Sequence, residues 1–266
     1  MLRVEDHPRG IRGVRLVTFC RPEARNAFNS EMYDAVAVAL DEGDQSQEIS
    51  VVVLTGEGSA YCAGQDLAEM NQLGDPHSQR DEKSGSHGFT RFIATIEAFS
   101  KPLVAAVNGV AVGVGTTMLP YCDLVLAADT ARFRLPFASL GVVPEAGSSF
   151  TLPEVMGWQG AARALFTGDW IDANTALNTG LIGQVTAADD LIIEALALAG
   201  AIAKMPLVAL VETKRLITAG RIDLARAART REEAVFKRLT GAPANREAIA
   251  AFLEKREPDF SNLPEE

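Results

Sequence analysis

Two glycine-bearing loops and one carboxylate are the residues of this chain best suited to chemistry. The β-branched run Val51 to Thr55 leads into Gly56-Glu-Gly-Ser-Ala-Tyr-Cys-Ala-Gly-Gln-Asp-Leu67. A second apolar run, Leu103 to Val107, leads into Asn108-Gly-Val-Ala-Val-Gly-Val-Gly115. Glycine admits backbone angles that other residues avoid, so such loops can turn N–H groups toward a ligand. Two of them at the ends of neighbouring strands can each present one N–H to a single oxygen, an arrangement that holds charge developing on a carbonyl. The second loop also opens a helix, whose N-terminus favours negative charge. The same glycines also serve merely to turn the chain, and spacing does not separate the two roles.

The carboxylate is Glu145 in Val142-Val-Pro-Glu-Ala-Gly-Ser-Ser149, just before an apolar helix. A helix N-terminus there favours the ionised form, whereas burial in apolar surroundings favours the protonated one. The alternative is a capping glutamate without chemistry. Other groups read as structural. Asp66 and Glu69 suit surface or backbone-capping roles, and Cys62 suits packing, since no histidine stands near it in a fitting motif. Arg132 and Arg134 suit solvent or subunit pairing, and Asp123 begins a strand. The charged stretch from 223 to 239 reads as a helix with a solvated face.

These groups need a scaffold, and the chain carries one. Its 266 residues are 47% hydrophobic and 23% charged, which suits a globular fold with a full core and argues against disorder. Strands are predicted at 14–20, 50–55, 103–107 and 123–127, and helices after Asn29 or Ser30, at 89–99 and from the glycines at 113 and 115 through Leu119. The polar stretch 70–88 reads as a surface excursion or a lid. After Pro153 the pattern is helical, near 159–167, 172–179, 188–204, 207–219, 223–239 and 245–256. Strands alternating with helices predict an α/β domain followed by a helical part.

Several function classes are disfavoured. Net charge is −10 and no basic face stands out, so nucleic acid is not an expected partner. Cys20, Cys62 and Cys122 have no CxxC spacing, and His7, His77 and His87 have no ligand spacing, so no metal site and a reducing cytoplasm are expected. Met118 stands where a GxGxxG motif needs its last glycine, and no Gly-Lys-Ser/Thr occurs. No apolar run reaches the roughly 18 residues of a membrane span.

Tyr61-Cys-Ala-Gly-Gln-Asp-Leu67 and Ala106-Val-Asn-Gly-Val-Ala-Val-Gly-Val-Gly115 resemble the two signature loops of the crotonase superfamily (enoyl-CoA hydratase/isomerase). Arg21-Pro-Glu-Ala-Arg-Asn-Ala27, Tyr121-Cys-Asp123, Gly168, Gly180-Leu181 and the helix around Ala248 to Arg256 follow in that family's order. The resemblance implies a spiral of ββα turns, here residues 1–200, with a helical C-terminal trimerisation region at 201–266. It implies a homotrimer or a dimer of trimers acting on an acyl-CoA thioester, with no cofactor beyond the CoA of the substrate. It places the oxyanion donors at the N–H groups of Ala63 and Val114, where the family usually has glycine at the second position. Arg25, Ala27, Ala63, Gln65, Asp66 and Leu67 are implied to line the CoA site near its adenine, completed by Phe252 and Lys255 of a neighbouring subunit. Thr117, Leu135 and Phe137 are implied to line the acyl pocket.

The family's hydratases typically use two glutamates, and these positions carry Thr117 and Phe137 here. Neither ionises usefully, so the standard hydratase chemistry is disfavoured. Pro144-Glu-Ala-Gly-Ser-Ser149 instead resembles the branch containing the peroxisomal-type Δ3,Δ2-enoyl-CoA isomerases, in which the glutamate of this motif is the single acid/base. The resemblance therefore implies a double-bond shift with Glu145 as base and then acid. Hydration or another thioester-enolate reaction through Glu145, and acyl-CoA binding without turnover, are the alternatives.

Overall fold

The β-branched and small residues of the 14–19, 51–56 and 103–107 segments are buried almost without exception, as strands covered on both faces must be. A computed structural model describes residues 1–67, 69, 86–261 and 263. Its larger sheet has six strands in the order β1-β2-β3-β5-β7-β10, with β1 Leu2–Asp6, β2 Val14–Phe19, β3 Val51–Gly56, β5 Leu103–Val107, β7 Leu124–Ala128 and β10 Gln184–Thr186. β1 runs antiparallel to β2 and the other pairings are parallel. The smaller sheet has the order β4-β6-β8-β9, with β4 Ala60–Cys62, β6 Val110–Val112, β8 Arg132–Arg134 and β9 Ile171–Asp172. Three times in succession a strand of the large sheet is followed by a short strand of the small one: β3 by β4, β5 by β6, β7 by β8. The fold is the α/β spiral that the resemblance implies.

The helices among the described residues are α1 Ser30–Gln45, α2 Ser86–Ala98, α3 Val114–Thr117, α4 Ser148–Thr167, α5 Ala173–Thr179, α6 Leu191–Ile202, α7 Leu207–Thr218, α8 Ile222–Leu239 and α9 Pro243–Glu254. Asn29 caps α1, its Oδ1 accepting from the Met32 N–H at 2.9 Å. α1 and α2 pack together over an aromatic cluster in which Phe28 meets Phe19, Tyr33 and Phe92 edge-on at centroid distances of 5.0, 5.1 and 5.8 Å. Among the described residues, no single helix is long and apolar enough to cross a membrane.

Three sequence expectations need correction. β1 was not foreseen, because four of its five residues are exposed and only Leu2 is half-buried, so the short Leu-Arg-Val alternation is too weak a signal. The helix expected through Leu119 stops at Thr117 and continues as a 3₁₀ turn, Leu119–Tyr121, since Pro120 has no N–H to extend it. α4 starts at Ser148 instead of near 159, and it is broken at Gly157, which sits at φ 69°, ψ 163°. Most of the proposed lid, residues 70–88, lies outside the described residues.

Candidate active site

The two glycine loops meet. β4 and β6 pair in parallel, Cys62 opposite Ala111, which brings residues 62–65 against 112–115. The approach is too close for side chains. A Cβ on Gly115 would collide with the Cys62 carbonyl, and one on Gly64 would lie 3.0 Å from the Val112 carbonyl oxygen. Gly113 takes the unusual backbone angles, φ 52° and ψ −121°, so Val114 begins α3 without a positive φ. Valine is therefore tolerated where the family usually has glycine. Among the described residues the Val114 N–H has no acceptor.

The first loop corrects the expectation for Ala63. Its N–H is committed, donating to the Arg25 carbonyl at 3.0 Å. The reason is a zipper between 25–28 and 63–66, in which Phe28 N–H donates to the Gly64 carbonyl and Asp66 N–H to the Phe28 carbonyl, both at 2.8 Å. In such a parallel bridge the bridging residue, Gln65, turns its own N–H away from the partner segment. That N–H has no acceptor among the described residues. The free amide pair is thus Gln65 and Val114. Gln65 is further held by its side chain, Oε1 accepting from the Tyr33 hydroxyl at 2.9 Å and Nε2 donating to Glu69 at 3.2 Å.

Arg25, Ala27, Asp66 and Leu67 do gather beside this loop. Arg21 ties them together, donating to the Ala27 carbonyl at 2.6 Å and to the Asp66 carboxylate at 3.1 Å. Arg25 sits in the left-handed region at φ 50°, exposed, with no hydrogen bond or ion pair from its side chain among the described residues. Asn26 beside it was missed by sequence reasoning. It is fully buried, donates to the carbonyls of Glu57 and Ala60 at 2.9 and 2.7 Å, and accepts from the Arg21 N–H at 2.8 Å. Asn26 itself sits at φ 56°, a left-handed conformation that asparagine tolerates, so an asparagine within the turn Arg21-Pro-Glu-Ala-Arg-Asn-Ala27 was the available signal. Glu69 caps α1 through the Ser30 N–H and hydroxyl, at 3.0 and 2.8 Å. Phe252 and Lys255 are exposed at the end of α9, and among the described residues no hydrogen bond or ion pair joins them to this cluster.

Glu145 and Thr117 come together from 28 residues apart. The Thr117 hydroxyl donates to Oε1 of Glu145 at 2.6 Å, and Oε2 is buried with no hydrogen-bond partner among the described residues. Thr117 is fully buried, as is Leu135, and Phe137 nearly so. The Phe137 carbonyl accepts from the Val142 N–H at 3.0 Å, which fixes the start of the segment carrying Glu145. Burial dominates the carboxyl's titration and pushes it up to about 8; the Thr117 hydrogen bond works against this and the nearby Glu232 charge adds to it. A carboxyl with that value can both take and return a proton near neutral pH. Cys62, beside the same group, is pushed up to about 12 by burial and stays a thiol.

The helix N-terminus expected for Glu145 belongs to another residue. Glu232 of α8 accepts the N–H groups of Gly147 and Ser149 at 2.6 and 2.7 Å, so it caps α4. The reading of 223–239 as a plainly solvated face is therefore corrected. Ala225, Ala228 and Glu232 are all buried at i, i+3 and i+7, and that stripe of two alanines and one glutamate was the legible signal. Arg134 is likewise engaged within the chain, donating to the Gly168 carbonyl at 2.7 Å and lying 5.5 Å from the centre of the Trp170 ring. No group of three or more metal-ligating side chains occurs among the described residues.

Known proteins place this arrangement. The family model described as enoyl-CoA hydratase/isomerase matches residues 9–263. The chain is 34% identical over 247 residues to 2,3-dehydroadipyl-CoA hydratase of Escherichia coli (strain K12), covering 93% of this chain and 94% of that one. It is equally 34% identical over 260 residues to 1,2-epoxyphenylacetyl-CoA isomerase of the same organism, covering 94% and 95%. The structure of an enoyl-CoA hydratase/isomerase from Pseudoalteromonas atlantica T6c superposes with a TM-score of 0.88 at 37% identity, covering 98% of this chain and 99% of that one. With the paired glycine loops, the α/β spiral and a family match over nearly its whole length, the chain belongs to the enoyl-CoA hydratase/isomerase, or crotonase, family.

Proposed function

We propose that this enzyme shifts the double bond of a 3-enoyl-CoA to position 2, with Glu145 as the only acid/base. The observation that carries the reading is the Glu145 carboxyl, its Oε2 buried and its titration pushed up to about 8, while Thr117 and Phe137 stand at two positions that cannot ionise usefully. The ionised Glu145 takes a proton from C2. The C2–H electron pair moves into the thioester, and the resulting dienolate oxygen rests on the N–H groups of Gln65 and Val114. The protonated Glu145 then delivers the same proton to C4, and the electrons return to form the C2–C3 double bond. Atoms and charge balance without water. Each donor of such a pair is typically worth ~3 kcal/mol, so the two supply much of the barrier reduction.

Arg25, its guanidinium unpaired among the described residues, and the 63–67 loop receive the CoA portion, and Leu135 and Phe137 give an apolar wall for the acyl chain. In a trimer, Phe252 and Lys255 of a neighbouring subunit reach the CoA. Relatives carry both hydratase and isomerase names, so hydration through Glu145 is the competing reading. Purified protein given 3-enoyl-CoA and 2-enoyl-CoA in separate reactions decides between them. Isomerisation without hydrated product is expected, and Glu145→Gln is expected to abolish it while CoA-ester binding persists. Hydration of 2-enoyl-CoA as the faster reaction, or an active Glu145→Gln, sinks the proposal.

A further inference from the structure

We propose that Glu232 is a positioning residue for catalysis, clamping from α8 the turn that aims Glu145 into the site. The inference rests on the reading of Glu145 as the acid/base, but its evidence lies elsewhere in the molecule. The turn Glu145-Ala146-Gly147 has one backbone bond of its own, from the Ser148 N–H to the Glu145 carbonyl at 3.0 Å, and its middle residue is strained. Ala146 sits at φ 60° and Gly147 at φ 72°, and the first of these is disfavoured for a residue with a Cβ. Such a conformation persists only when its surroundings over-determine it.

The surroundings are three hydrogen bonds from two distant side chains. The Tyr121 hydroxyl donates to the Ala146 carbonyl at 2.5 Å. Glu232 Oε2 accepts the Gly147 N–H at 2.6 Å and Oε1 accepts the Ser149 N–H at 2.7 Å, spanning 85 and 83 residues of sequence. None of them touches the Glu145 carboxylate, whose one hydrogen-bond partner among the described residues is Thr117. The turn also fits tightly: a Cβ on Gly147 would lie 2.8 Å from the Ala225 carbonyl and 2.9 Å from the Tyr121 hydroxyl. The helix that carries the clamp is itself bolted down one turn earlier. Arg229 donates to both oxygens of the buried Glu97 at 3.2 Å, and Arg226 reaches the same carboxylate at 3.4 Å. A continuous set of contacts thus runs from Glu97 through α8 and Glu232 to the backbone on either side of Ala146. Without Glu232, two N–H groups at the start of α4 lose their acceptors, the left-handed Ala146 is free to relax, and the Glu145 carboxyl moves with it. A displacement of about 1 Å at a reacting group costs on the order of a hundredfold in rate.

The test uses the full-length protein. Glu232→Gln keeps the side chain's volume but accepts one N–H where the carboxylate accepts two. Steady-state kinetics on 3-enoyl-CoA are measured together with the calorimetric stoichiometry of CoA-ester binding, which counts folded sites. The expected result is a kcat lowered about tenfold or more, with KM within twofold and stoichiometry unchanged. Glu232→Ala is expected to fall further, and the glutamine variant decides the matter alone where the alanine variant does not fold. A loss of kcat that only follows a loss of binding sites makes Glu232 merely structural and overturns the proposal, as does wild-type kcat in Glu232→Gln. Glu145→Gln is assayed in parallel. If it is inactive while Glu232→Gln is unimpaired, the clamp alone is wrong. If Glu145→Gln stays active, the acid/base assignment falls and takes the clamp with it.

Discussion

Thr117, fully buried, and the half-buried Glu145 form a pair, hydroxyl to Oε1 at 2.6 Å, in a position where the family's hydratases typically have a glutamate in place of the threonine. In the proposed reaction one ionisable group does the work of the site, and a neutral donor tunes it. The hydroxyl favours the charged form, burial favours the neutral form, and burial wins.

The rate should report that balance. Proton abstraction needs the carboxylate, and the Glu145 carboxyl is held up to about 8. Below that pH the protonated fraction grows, so kcat/KM is expected to fall about tenfold per pH unit. A profile on 3-enoyl-CoA that is flat from pH 6 to 8 contradicts the assignment.

Thr117→Val removes the hydrogen bond at nearly constant volume. The hydroxyl lowers the Glu145 value, so its loss raises it further. The acidic limb is expected to move up by about one unit, in keeping with a hydrogen bond to a charged group of ~1.5–3 kcal/mol. The pH profile of the variant checks this; a limb that stays put or moves down shows that Thr117 does not donate to the ionised form.

Stability should carry the same signature with its own sign. Glu145 is raised from 4.5 to about 8 in the folded chain, so the folded state holds this proton more tightly than the unfolded one. The associated stability is fully present below pH 4.5 and gone once the pH has passed about 8. Glu145→Gln cannot ionise and keeps it. The variant is expected to be the more stable protein at pH 8, by an amount on the order of a few kcal/mol that vanishes below pH 4.5. Thermal melts of both proteins across that range measure the difference, and a gap that does not depend on pH refutes the linkage.

Asn26→Ala breaks a buried hub with three hydrogen bonds to the Arg21 N–H and the carbonyls of Glu57 and Ala60. Leaving such groups without partners costs about 1–3 kcal/mol each, so the folded state should lose roughly 3 kcal/mol or more. Because Asn26 lies between Arg25 and Ala27, KM for the CoA ester should rise as well. Urea melts and steady-state kinetics test both halves, and an unchanged midpoint removes the hub role.

The chain's local pattern determined a great deal. β-branched runs of strand length, helical spacings after residue 153, two glycine loops and a lone glutamate after Pro144 are all local features; they point to an α/β domain followed by helices, and the resemblance of the loop motifs implied the spiral and the family. Only the tertiary structure decided which amides are free and what holds the segment of Glu145. Ala63 and Gln65 are both loop amides in the sequence; the Arg25 carbonyl, brought in from a distant segment, takes the first and leaves the second. Glu232 looks like one charge among many on α8 until the helix packs and seats it on Gly147 and Ser149. Whether an N–H is available, and where a carboxyl titrates, depends on partners and burial supplied by segments far away along the chain, and local spacing does not encode those distances.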